Sequence, residues 1–215
     1  MGGLVVVLEG LDYKDNVALG GVIRCVQVDL HNAAFGIKIG DFETPQIYLA
    51  QTPTRACFDE ATGSLTLRER PRGQPGRGLH LPKLWLGLPW DYGDRKMGPV
   101  AITARGYVEV NGINIDTLEI DTWGDIACLG VHLGSTCMAK SVGGSIRVTE
   151  LAAPMDTDPQ YGPTVELIAP TGTVEANKSS GSWRLAAAKF SLQGVEGPQH
   201  ITDLAPRPQQ VKAAA

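Results

Sequence analysis

Long hydrophobic runs and clustered cysteines are both missing from this sequence. The longest purely aliphatic run covers residues 4–8 and is far too short to cross a bilayer. No basic region precedes this run and no small-residue cleavage site follows it, so it predicts a first β-strand rather than a signal peptide. The cysteines show no CxxC or zinc-finger spacing, which predicts four reduced thiols without metal or disulfide: Cys25, Cys57, Cys128 and Cys137.

Motifs that commit a chain to a known reaction are also missing. The sequence has no GxxxxGK[ST], GxGxxG, GxSxG or HExxH pattern, and its four histidines are far apart. Carboxylates cluster at residues 116–125 and 156–158. Their spacing fits strand-face charges and turn formers better than a glycosidase pair or a calcium loop. We therefore expect no enzymatic activity, no cofactor and no metal site.

Excess positive charge is absent as well. Lys+Arg 19 against Asp+Glu 23 gives a net charge of −4, which excludes a generally basic, nucleic-acid-coating protein. One basic stretch carries Arg68, Arg70, Arg72 and Arg77, but no aromatic residue lies between them to stack on bases. A solvated loop is the first interpretation of this stretch, a contact with an acidic protein face the second, and nucleic-acid binding the third. We expect no membrane partner and no sequence-specific nucleic acid.

Turn-forming residues are abundant, with 26 glycines and 14 prolines, which is more than a helical bundle tolerates. Between the turns, apolar and polar side chains alternate with the period of two that half-buried strands require. Such candidate strands cover residues 26–30, 35–39, 64–68, 145–149 and 164–168. Residues 102–110 and 113–120 flank Asn111-Gly112, a dipeptide that favours hairpins. We expect these two runs to pair antiparallel, with Gly112 at positive φ.

Few segments favour helix. Residues 183–193 fit an amphipathic helix or a strand, and residues 136–142 fit a single helical turn. Residues 68–99 and 152–163 are predicted as long irregular connections, which usually serve function or an interface. We expect one β-rich domain over residues 1–196, with a possible subdivision near 82–99 and 152–163, and an extended tail over 197–215. No internal repeat of fixed period is visible.

Four aromatic residues form the last group of interest. Trp85, Trp90 and Tyr92 lie in a leucine-rich and proline-rich segment, and Trp123 follows a predicted strand. Such side chains line sugar sites and also anchor protein interfaces. So much apolar surface in one segment favours a core or a subunit interface. The predicted interface residues are Trp85, Trp90, Arg70, Arg72 and Arg77.

These features predict an all-β fold, an antiparallel sandwich or partly closed barrel with long Pro/Gly-rich loops. The Asn111-Gly112 hairpin, the arm-like loop at 68–99 and the tail at 197–215 resemble structural proteins of tailed-bacteriophage virions, of the tail-tip, baseplate or capsid-decoration type. The resemblance implies a non-enzymatic subunit of a large symmetric assembly, located in the virion and assembled in the host cytoplasm. Its expected partners are copies of itself and other structural proteins.

Two other functions stay open at this point. The first is a carbohydrate-binding β-module that uses Trp85, Trp90 or Trp123. The second is a hydrolase whose site is assembled from dispersed residues.

Overall fold

The computed structural model describes residues 5–8, 16–48, 54–69, 83–152 and 162–205. Most of these residues form strands, and the only helical turn among them is a short 3-10 helix, Trp90–Gly93. No helix in this part of the chain has the length and apolar character needed to span a membrane. The strands are β1 (Val5–Leu8), β2 (Asn16–Ala18), β3 (Cys25–Leu30), β4 (Ala34–Gly40), β5 (Gln46–Tyr48), β6 (Thr54–Asp59), β7 (Ser64–Glu69), β8 (Lys83–Pro89), β9 (Lys96–Met97), β10 (Val100–Ala104), β11 (Val108–Asn111), β12 (Asn114–Thr122), β13 (Ile126–Leu129), β14 (His132–Ser141), β15 (Ile146–Thr149), β16 (Thr164–Ser180), β17 (Ser182–Glu196) and β18 (Gln199–Asp203).

The strands form two sheets that share β16 and β17, and the two-residue strand β9 pairs only with the start of β12. Sheet A has the order β1-β6-β7-β3-β10-β12-β14-β16-β17-β18, and sheet B has the order β2-β5-β8-β4-β11-β13-β15-β16-β17. The long strands β16 and β17 contribute their first halves to sheet A and their second halves to sheet B. The all-β class is therefore confirmed, with two sheets that do not close into a barrel.

Strand direction differs from the prediction. Between the described strands, thirteen ladders are parallel and four are antiparallel. From β10 onward, each pass of the chain crosses sheet A, turns, crosses sheet B and returns one layer further on, so that successive coils stack in register, as in β-solenoids. The earlier coil of β7 and β8 lies on the opposite side of β3 and β4 from β10 and β11. Along sheet A, Val100 pairs with Leu118, Leu118 with Cys137, Cys137 with Val165, and Val165 with Trp183. The unequal length of these steps explains why the sequence shows no fixed period.

The core lies between the sheets and follows from the alternation in the sequence. In sheet A one inward column runs through Val28, Ile102, Ile120, Ala139 and Leu167, each from a different coil and each nearly inaccessible to solvent. Sheet B supplies matching columns, and one hydrophobic cluster includes side chains from both. Because strands of one sheet are about 4.8 Å apart, each inward side chain packs on its counterparts above and below.

The hairpin predicted at Asn111-Gly112 is wrong, although its positive φ is confirmed. Residues 102–110 contain two strands, β10 and β11, and β10 pairs with β12 in parallel. Gly112 has φ +72°, and its N–H donates to the carbonyl of Leu129 on the next coil at 2.9 Å. The left-handed residue thus turns the chain out of sheet B toward the next layer instead of reversing it onto its neighbour.

Three segments without a clear sequence signal are strands in the structure. Residues 83–89 of the predicted irregular loop form β8, in which Leu84, Leu86 and Leu88 point inward with a period of two. Residues 183–193 lie in β17, and residues 136–142 lie almost entirely in β14, so neither is helical. Where local propensity is ambiguous, hydrogen bonding to a neighbouring strand on each side determines that the segment is a strand. The parts of the two predicted loops at residues 70–82 and 153–161 lie outside the described residues.

The two ends of the stack differ. At one end, β6 and β1 continue sheet A and β5 and β2 continue sheet B, with antiparallel pairing. At the other end the parallel stack finishes with β17 and β18. The predicted tail at 197–215 thus begins inside the stack, because its residues Gln199–Asp203 form β18; residues 206–215 lie outside the described residues.

Candidate functional site

Among the predicted interface residues, the structure describes only the two tryptophans. Arg70, Arg72 and Arg77 lie outside the described residues, so their basic stretch stays a prediction. Trp85 is only half-buried on the outer face of sheet B. Trp90 lies in the 3-10 helix that follows β8 and is 68% exposed. The two side chains therefore have different surroundings despite their proximity in sequence.

Trp85 is held by its neighbours. Its indole lies directly over Gly36, where a Cβ atom would overlap the ring. The Lys83 Nζ atom is 3.7 Å from the Trp85 ring centroid and also 3.2 Å from the Glu109 Oε2 atom. Lys38 approaches the same ring at 5.3 Å. Because both sides of the indole are engaged by cations and backbone, Trp85 stabilises the outer face of sheet B.

Trp90 borders an apolar groove of about 500 Å³. Pro45, Pro89 and Val22 line it as well, and Val22 is 46% exposed. Asp91 and Arg95 also line the groove and form an ion pair with each other at 2.6 Å. The interface contact expected for Trp90 stays a prediction.

Trp123 is 65% exposed and lies at the turn from sheet A to sheet B. The backbone of this turn is fixed from both sides. The Thr122 hydroxyl donates to the Gly106 carbonyl at 2.6 Å, and the Gly143 N–H donates to the Trp123 carbonyl at 3.1 Å. At Gly124 a Cβ atom would be 2.6 Å from the Gly106 backbone, so the turns stack at backbone contact distance. A large apolar side chain is therefore presented to solvent on a rigid base.

A second groove, on the outer face of sheet B, is lined by Tyr107, Asp125, Arg147 and Glu175. The Arg147 Nε atom donates to the Glu175 Oε2 atom at 2.7 Å, and Asp125 accepts from the Ser145 N–H at 2.7 Å. Burial, with the nearby Glu109 carboxylate, raises the pKa of Tyr107 to about 12. Both carboxylates are thus engaged in structural bonds, which leaves this groove without the free pair that a glycosidase uses.

The described residues contain no group of three or more His, Cys, Asp or Glu side chains that could hold a metal ion. All four cysteines are free thiols in the structure. Cys25 and Cys57 are half-buried, whereas Cys128 and Cys137 are buried in the core. Desolvation raises the pKa of Cys128 to about 12 and that of Cys137 well above its usual range.

The last coil forms a third candidate surface, which we call the open end and define as residues 189–205. Every residue of β18 is exposed, including Ile201 at 47%. Leu204 just beyond it is 39% exposed. Phe190, Leu192 and Val195 of β17 are only partly buried against the core. Among the described residues, no further strand pairs with β18 or with the second half of β17 on this side.

Sequence reasoning missed the open end because it interpreted residues 197–215 as a tail. A signal was present: Phe190 and Leu192 alternate with the polar residues 189, 191 and 193, as in the preceding strands. Sequence reasoning also did not associate His31 or Arg105 with Trp123. Only the register of the coils brings them near one another, through the pairs Leu30–Ala104 and Ala104–Thr122.

Comparisons with known proteins add little to this geometry. No family model matches the chain, and no curated protein matches it. The fold is similar to a solved structure from Clostridium sporogenes ATCC 15579, described as a "putative cell adhesion protein". That similarity covers 93% of this chain and 98% of the other, with 9% sequence identity and a TM-score of 0.41. At this level the likeness carries no argument about function.

Proposed function

We propose that this chain is a non-enzymatic structural subunit that joins a larger assembly through the open end of its stack. The open end supports the proposal because, among the described residues, it combines strand edges that no further strand pairs with and apolar side chains that are exposed or only partly buried: Phe190, Leu192, Val195, Ile201 and Leu204. An exposed edge of this kind is a template for pairing with another chain unless it is blunted.

The difference between the two ends gives the contact its geometry. Antiparallel strands finish the stack at β1 and β2, whereas β17 and β18 finish it in the parallel arrangement used along its length. The end formed by β1 and β2 therefore presents a different surface from the open end. A second copy can pack its β1–β2 end on the open end of the first. Head-to-tail contacts of this type generate rings or filaments.

The finer proposal is that the assembly is a phage virion, with this chain in the tail tip, baseplate or capsid decoration. It rests on the resemblance drawn from the sequence. Its partners would be copies of itself and other structural proteins of the particle, and the apolar groove at Trp90 offers a second contact surface for them. Cryo-electron microscopy of purified virions would test this attribution.

The open end is tested by placing charge on it. We expect the full-length protein to form oligomers in analytical ultracentrifugation. The double variant Ile201→Lys/Leu204→Lys should shift the distribution toward monomer, because two buried ammonium groups at an apolar contact cost several kcal/mol. Both side chains are already exposed within one chain, so we expect little loss of monomer stability.

Met138→Lys is the matched control. Met138 is 48% exposed on the outer face of sheet A, in the middle of the stack. This variant adds charge to an exposed apolar position away from the open end and should leave the oligomers intact. A monomeric wild type at all concentrations, or equal dissociation by the control, would contradict the proposal.

A further inference from the structure

The groove in front of Trp123 has the chemistry of a ligand site. It has a volume of about 480 Å³ and is lined by His31, Thr103, Ala104, Arg105, Asp121 and Trp123. Ala104 is buried and small, and it forms part of the floor. Small-molecule sites of this size combine an apolar surface with a few polar groups that fix orientation.

The lining residues form two rows that follow the stack. His31, Arg105 and Trp123 each follow a strand end in successive coils, because Leu30 pairs with Ala104 and Ala104 with Thr122. Thr103 pairs directly with Asp121, which forms the second row beside the first. Coils are about 4.8 Å apart, so both rows extend along the stack axis.

The polar groups beside Trp123 are available to a ligand. Neither Arg105 nor Asp121 has a hydrogen bond or an ion pair to another described side chain. An aspartate offers two acceptor oxygens and an arginine five donors, which together match the hydroxyl groups of a sugar. Next to them lies the indole of Trp123, an apolar face that stacks on the C–H face of a pyranose ring.

We propose that this groove binds a neutral pyranose unit of a glycan, stacked on Trp123 and hydrogen-bonded by Asp121 and Arg105. The negative charges of Asp121 and Asp29 would repel a phosphate or an acidic sugar. The positive charge of Arg105 is balanced by the negative charge of Asp121. Asp29 itself lies 3.6 Å from the His31 imidazole. The hydrogen-bonded turn beneath Trp123 means that little backbone freedom is lost on binding.

The first test screens the full-length protein on an array of neutral oligosaccharides built from glucose, galactose, mannose and N-acetylhexosamines. The strongest hit is then titrated calorimetrically and by tryptophan fluorescence. We expect Trp123→Ala to lower the affinity about tenfold or more, and Asp121→Asn to lower it several-fold. The affinity should change little with salt concentration, because a neutral sugar forms no ion pair with the protein.

Trp90→Ala is the matched control, because Trp90 is equally exposed but lies in a different groove. It should bind the hit like the wild type. The proposal is overturned if no neutral glycan binds, if Trp123→Ala binds normally, if Trp90→Ala loses binding equally, or if acidic glycans or nucleic acids bind best. Ile201→Lys/Leu204→Lys should retain glycan binding, so this site and the assembly surface succeed or fail separately.

Discussion

Burial separates the four cysteines into two reactive and two inert thiols. Cys128 and Cys137 point into the core from sheets B and A, and their raised pKa leaves almost no thiolate at mildly alkaline pH. Cys25 and Cys57 are half-buried, in strand positions next to the inward-facing Val26 and Ala56. We expect iodoacetamide at pH about 8 to label Cys25 and Cys57 in the native protein. Cys128 and Cys137 should be labelled only after unfolding, as measured by peptide mass spectrometry; rapid native labelling of Cys128 would contradict this packing.

A left-handed residue recurs at equivalent positions of the five successive coils whose sheet B segments are β11, β13, β15 and the second halves of β16 and β17. Gly112, Gly130 and Gly194 occupy this position with φ of 72°, 59° and 59°, but Glu150 and Lys178 occupy it with φ of 55° and 47°. The Gly130 N–H donates to Thr149, and the Glu150 N–H donates to Asn177, at 2.9 and 3.0 Å. The same left-handed conformation is thus adopted by glycine in three coils and by a residue with a side chain in two.

This repetition predicts substitutions of opposite sign at equivalent positions. Gly112→Val should lower the free energy of unfolding by about 1–2 kcal/mol, because a β-branched residue resists the left-handed conformation. A Cβ atom at Gly112 has room, with Ile39 no closer than 3.8 Å, so the cost is conformational. Glu150→Gly should raise the free energy of unfolding by up to about 1 kcal/mol. This net gain already subtracts the extra backbone entropy that a glycine loses on folding. Urea denaturation would measure both, and equal signs would refute the interpretation.

At the scale of the molecule, stability accumulates from coil to coil. In such stacks each layer interacts only with its neighbours, so removing an end layer leaves the remainder folded. β18 covers one side of Trp183 and Leu185, which are 1% and 2% exposed. The free energy of unfolding of a chain that ends at residue 198 should therefore be roughly 1–3 kcal/mol lower than that of a chain that ends at residue 205. Its tryptophan emission should shift to the red. Complete unfolding of the shorter chain would show that the coils are not independent layers.

The candidate sites could be predicted only in part. Trp90 was predicted as an interface residue from the composition of its segment, and it is exposed beside a groove, where its interface role stays a prediction. Trp85 carried the same signal, yet Gly36 and two lysines enclose it. Nothing in one sequence distinguishes these two tryptophans, because the difference arises from strands that are remote along the chain.

What the sequence determined is a part of the strands, together with the inward faces of those strands. Alternation with a period of two is a local property, so segments such as 26–30 and 64–68 could be recognised without knowledge of their partners. The left-handed Gly112 is local in the same sense. Tertiary structure decided which strands pair and in which direction. Parallel neighbours on successive coils are 16 or more residues apart, and their choice depends on burying both sheets around one core. The open end and the Trp123 groove exist only because of that stacking. Neither could therefore be located without knowing how the coils stack.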